Sequence, residues 1–196
     1  MKRLPLTMGV AGIMLMVSAF AYYHFEVTPR IRNGRLAGRY TDPASRPEVN
    51  GFRFETRRGV EGIGDYSGRV VVVDVWASWC APCVEGIPRL VALAERFRDA
   101  PFDLVGLSVD RGGWEDLNPF LERYPEINYE VAVPHSPPAF QFYALVDLDP
   151  LGEVAVLPTY FVIDGRGRLA GKFVGSDTLP EVAALAGRLL EEMSDV

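Results

Sequence analysis

The chain has 196 residues, 48% of them apolar, enough for one domain with a real core plus extra elements and too few for two full domains. Residues 59–196 carry ten basic against 22 acidic side chains, which argues against a phosphate-binding face and hence against nucleic-acid recognition. The only cysteines, Cys80 and Cys83, do not make a structural disulfide framework, because a bridge over two intervening residues closes a loop too short to restrain the unfolded chain much.

Lys2 and Arg3 precede residues 4–23, a stretch without a charge. As a helix, twenty such residues would span about 30 Å, the thickness of a bilayer core. Residues 1–23 are therefore expected to be a single membrane anchor, with the positive end in the cytoplasm and the rest of the chain outside it. Ala19, Phe20 and Ala21 offer a cleavage pattern as the alternative, a signal sequence. Either reading exports the chain. Residues 24–50 hold Pro29, Gly34, Gly38, Pro43 and Pro47 without a sustained period, and are expected to form a linker.

The folded domain is expected over residues 51–196. Phe52, Phe54 and Thr56 alternate with Arg53 and Glu55, a half-buried strand pattern ended by a turn at Arg58 and Gly59. Residues 69–76 are nearly all β-branched, as in a central strand buried on both faces. After the cysteines, Ile87, Leu90, Val91, Ala94 and Phe97 recur at helical spacing. Residues 102–109 read as a second buried strand. A short helix is expected before Pro125, with Asn118 as its cap and Pro119 in its first turn. Residues 129–133 suggest a short strand. In the proline-rich stretch 134–151, residues 140–148 have helical potential. Residues 159–163 and 169–174 form a hairpin about the turn 164–167. Thr178 and Glu181 have capping-box spacing and open a final amphipathic helix. The order implies an α/β layer with a mixed sheet.

The stretch 76–83, WASWCAPC, ends a buried strand and opens a helix. Cys80 is then expected at the helix amino terminus, where free N–H groups and the helix dipole favour a thiolate, the nucleophilic form. Cys83, one turn further in, would resolve a mixed disulfide. Pro82 is compatible with a first helical turn. Two cysteines and two histidines make a poor zinc site. Delivery of Cu(I) by the same two thiolates is the alternative function. Asp74, six residues before Cys80, is a carboxyl in an apolar strand and must be partnered or neutral there. Trp76 is expected in the core and Trp79 on the surface beside Cys80.

WASWCAPC, Pro88, and LPTYFVIDGRG at 157–167, together with the amino-terminal apolar run, resemble the thioredoxin superfamily. Within it they resemble the TlpA/ResA-like branch of membrane-anchored, extracytoplasmic thiol–disulfide oxidoreductases. The resemblance implies a thioredoxin-like fold and catalytic Cys80 and Cys83, with Asp74 as proton acceptor for the inner cysteine. It also implies a cis Pro158, and a partner-binding surface of Trp79, Pro82, Leu157 and Pro158. No metal and no cofactor are implied. The expected partners are disulfide-bearing exported proteins, as in cytochrome c maturation or copper-site assembly, and a transmembrane electron donor. The chain departs from many of these proteins at Gly86, where they carry a glutamate. Glu85, one residue earlier, lies about 100° away on a helix and cannot replace it.

Overall fold

The computed structural model describes Met14, Val17, Ser18 and residues 38–39, 42–135, 146–148 and 150–194. The chain divides into two units, residues 1–37 and 38–196. In the first, Met14, Val17 and Ser18 are helical, and the remainder of the expected anchor lies outside the described residues. Among the described residues, no helix is long and apolar enough to cross a membrane.

In the second unit the strands are β1 (Gly38–Arg39), β2 (Arg53–Thr56), β3 (Gly59–Gly62), β4 (Val70–Trp76), β5 (Phe102–Ser108), β6 (Glu130–Pro134), β7 (Val146–Leu148), β8 (Gly152–Val154), β9 (Thr159–Ile163) and β10 (Leu169–Val174). Helices α1 (Ala81–Arg96), α2 (Trp114–Leu121) and α3 (Leu179–Ser194) connect or follow them. One mixed sheet has the order β1-β10-β9-β4-β5-β6-β2-β3. β4, β5 and β6 run parallel, so α1 and α2 serve as the crossovers that parallel strands require. β9 runs antiparallel on the other side of β4.

All seven residues of β4 are buried, which is why its sequence is continuously apolar rather than alternating. Val71, Val73 and Val75 join Phe54, Leu107, Leu117 and Phe161 in one core cluster. Val70 and Val72 join Leu90, Leu93, Tyr160, Val182 and Leu189 in the other. The sheet therefore separates two cores, and α1 and α3 close the second.

Two local expectations change. α2 begins at Trp114, and Pro119 lies inside it. The acidic residues Glu115 and Asp116 favour the earlier start, and the Asp116 carboxylate accepts the Gly112 N–H at 2.8 Å. Asn118 is thus not a cap; its side-chain oxygen accepts from Arg57 at 2.8 Å. Residues 146–148 are strand rather than helix and pair with β8; residues 136–145 lie outside the described residues. The Thr178 hydroxyl donates back to the Gly175 carbonyl at 2.8 Å and closes a short 3-10 turn that leads into α3.

Candidate active site

β4 runs straight into the cysteine motif. After Trp76 the backbone turns, and the Cys80 N–H donates to the Ala77 carbonyl at 3.0 Å. Cys80 is the cap position of α1 and Pro82 lies in the first turn, where its missing N–H is harmless. The Cys80 carbonyl accepts from both Cys83 and Val84 at 3.0 Å. Cys80 and Cys83 form a disulfide, with Cα atoms 5.3 Å apart. Both are buried, at 6% and 3% exposure, whereas Trp79 beside them is 63% exposed. In this oxidised form the two cysteines differ little in exposure.

Strand register delivers the next residue. Val75 pairs with Thr159 across β4 and β9, so Pro158 stands level with the end of β4, where the cysteine turn begins. The Leu157–Pro158 bond is cis. The Leu157 N–H and carbonyl take no partner among the described residues. The sequence-predicted Trp79, Pro82, Cys80 and Cys83 thus share one turn, and the antiparallel return of β9 brings Leu157 and Pro158 to the same end of the sheet.

Asp74 lies deeper, paired in register with Tyr160 on one side and Gly106 on the other. Its Oδ1 is buried without a hydrogen-bond partner, as is the Trp76 indole nitrogen. Burial pushes the Asp74 carboxyl up to about 8, since no nearby charge offsets its lost hydration. Gly106 helps isolate it. A Cβ there would approach the Tyr129 ring to 3.1 Å and the Trp76 nitrogen to 3.2 Å, so no larger side chain reaches Asp74 from β5. The arrangement keeps a neutral acid behind the cysteine pair at moderate pH.

Gly86, on the buried side of α1, has nothing within 4 Å of the position its Cβ would take. Glu85 faces solvent, so it does not fill that space. One constellation was not read from sequence. The Asp110 carboxylate accepts from the Ser78 N–H at 2.9 Å, the Ser78 hydroxyl at 2.8 Å and the Ser108 hydroxyl at 2.6 Å. The available signal was a serine and an aspartate two residues apart at the end of an apolar strand, a common loop composition with no spacing of its own.

A mixed sheet whose central strand hands a CxxC pair to a helix, facing a cis-proline strand, defines a thioredoxin-like protein. The sequence profile described as Redoxin matches residues 62–188, and the chain belongs to that family. Among curated proteins it is 25% identical over 114 residues to a thiol-disulfide oxidoreductase ResA of Bacillus cereus, covering 58% of this chain and 60% of the relative. This match thus spans under two thirds of that protein. ResA of Bacillus subtilis (strain 168) is 22% identical over 90% of this chain and 88% of its own. Among solved structures, a DsbF homologue from Corynebacterium diphtheriae superposes with a TM-score of 0.58 at 26% identity, covering 78% of this chain and 94% of that one.

Proposed function

We propose that the chain is an extracytoplasmic thiol–disulfide oxidoreductase that reduces disulfides in exported proteins, with apocytochrome c or copper-site cysteines as the substrate class. The observation that carries this reading is the Cys80–Cys83 bond at the amino terminus of α1. In the reduced form, the Cys80 thiolate attacks a partner disulfide, forms a mixed disulfide and expels one partner thiolate. Cys83 then attacks the Cys80 sulfur and releases the second partner thiol. Two electrons pass to the partner and the cysteine pair ends oxidised.

In this scheme the ionised fraction of Asp74 takes the proton from Cys83, and a carboxyl raised to about 8 exchanges protons close to neutrality. The unpartnered backbone of Leu157 supports strand-like docking of an extended partner segment. Trp79 provides exposed aromatic surface beside the disulfide. The charged start and uncharged residues 4–23 support export and anchoring in the inner membrane, with the domain in the periplasm or an equivalent space. A reductant there needs recharging by a membrane protein that passes electrons outward.

The test is equilibration of the purified chain in glutathione and dithiothreitol buffers, with thiol trapping at each point. A potential near or below about −270 mV is the expected result for a dedicated reductant. A value near about −120 mV reverses the direction to an oxidant. Failure to form a reversible bond removes the oxidoreductase reading and leaves Cu(I) binding in its place.

A further inference from the structure

Cys80 has two duties that conflict. It occupies the cap position of α1, where Ser, Thr, Asp or Asn usually satisfies a free N–H, yet its sulfur is the reacting atom and makes no cap hydrogen bond. In the disulfide form the bond to Cys83 ties Cys80 to the helix. Once that bond is reduced, the turn at residues 77–80 is kept in place by its hydrogen bonds and by the burial of Ala77.

The bonds made by Ser78, in the middle of that turn, converge on one side chain. Both carboxylate oxygens of Asp110 are used: Oδ1 accepts from the Ser78 hydroxyl, and Oδ2 from the Ser78 N–H and the Ser108 hydroxyl. The Ser108 oxygen in turn accepts the Asp110 N–H at 3.2 Å. Ser108 and Asp110 are both buried. Their own segment is stitched to the end of β4, because the Val109 N–H donates to the Trp76 carbonyl at 2.9 Å. A rigid strand end therefore grips the middle of the turn that presents the nucleophile, from 32 residues away. Charged acceptors make stronger hydrogen bonds than neutral ones, which suits a contact that must survive the loss of the disulfide.

We propose that Asp110 is the positioning residue of the cysteine turn, holding Ser78 so that Cys80 stays at the amino terminus of α1 in the reduced state. The proposal rests on the oxidoreductase reading, because it matters only if Cys80 reacts as a thiolate. Asp110 itself touches no sulfur and acts through Ser78.

The experiment measures the rate of Cys80 alkylation by iodoacetamide against pH in the full chain carrying Cys83→Ser, so that a single thiol reports. Asp110→Ala is expected to slow alkylation at neutral pH about tenfold, as a misplaced reacting group does, and to move the rising limb to higher pH. Asp110→Asn can still accept the Ser78 N–H and donate to its hydroxyl, and should recover to within about threefold of the parent. Ser78→Ala should fall between the two. Loss of the Asp110 charge alone would move the limb to lower pH, and equally for Ala and Asn; that result overturns the proposal. So does an unchanged profile in Asp110→Ala with only a lower melting temperature. If Asp110→Ala does not fold, Ser78→Ala decides by the same criterion. Failure of the unmodified chain to form a reversible disulfide would instead strike the proposed function, since alkylation reads the thiol alone.

Discussion

Asp74 is the residue at which burial has the clearest thermodynamic consequence. Its carboxyl lies near 8 in the folded chain against an ordinary value of 3.8, because burial disfavours the charge. Between those values the unfolded chain has released a proton that the folded chain keeps. Stability must therefore fall as pH rises from about 4 to about 8, and level off above that. Asp74→Asn removes the titration. The variant should be more stable than the parent at pH 7 by a few kcal/mol, since each pKa unit is worth about 1.4 kcal/mol. The two should converge near pH 4. Urea denaturation at a series of pH values checks this, and parallel curves for variant and parent would mean that Asp74 ionises freely in the fold. Asp74 stands out in the sequence because a charge inside a β-branched run is costly. Its isolation is not legible there, since it depends on Gly106 lying beside it on a strand more than thirty residues away.

At the scale of elements, α1 carries the site on its first turn, and its interior is poorly optimised. Gly86 and Pro88 both lie inside it. Pro88 lacks the N–H that would bond one turn back, and Gly86 loses more backbone freedom on folding than any other residue would. A Cβ at Gly86 meets nothing within 4 Å. Gly86→Ala should accordingly stabilise the chain by about 0.5–1 kcal/mol. Thermal unfolding measures it, and a lower melting temperature would mean that the space is needed empty for packing. The helix pattern itself is readable from Ile87, Leu90 and Phe97. The start of α2 is not, because Asn118 and Pro119 carry a strong local start signal. The burial of Leu117 and Phe120, together with the Asp116 contact to Gly112, outweighs it.

For the molecule as a whole, the segment before residue 51 matters more than its linker-like composition suggests. Arg46 is buried and pairs with Asp164 at 3.0 Å and with Glu192 at 3.2 Å. Val49 is buried in the core, and its N–H donates to the Gly167 carbonyl at 2.9 Å. Asp164 opens the β9–β10 turn, where Gly167 takes the left-handed φ of 71°. Burial alone would raise the Asp164 carboxyl, but hydrogen bonds from the Arg168 and Arg46 side chains and from backbone N–H groups hold it below the usual range. That stabilisation is complete above about pH 4 and is lost as pH falls through the depressed value. A fragment starting at residue 51 should therefore be less stable than one starting at residue 38, by on the order of 3 kcal/mol, through the lost Arg46 pairing and Val49 packing. The difference should shrink in acid. Equal denaturation midpoints for the two fragments would show that residues 38–50 contribute no stability.

What the sequence determined by itself is what local spacing and composition can encode. The β-branched run fixes a buried central strand, the cysteines follow it at a strand-to-helix junction, and alternation and helical periodicity mark the elements around them. Tertiary structure decided everything that depends on residues distant in the chain. Leu157 and Pro158 reach the cysteine end only through the antiparallel register of β9 on β4. Asp74 stays unpaired because of its neighbour on β5. Asp110 reaches Ser78 because β5 is stitched to β4 beyond its last residue, and Arg46 is buried because a turn and the final helix close over it. Such contacts leave no periodic trace in either partner segment, because hydrogen-bond and charge pairing is set by distance in space, whereas a sequence pattern records only distance along the chain.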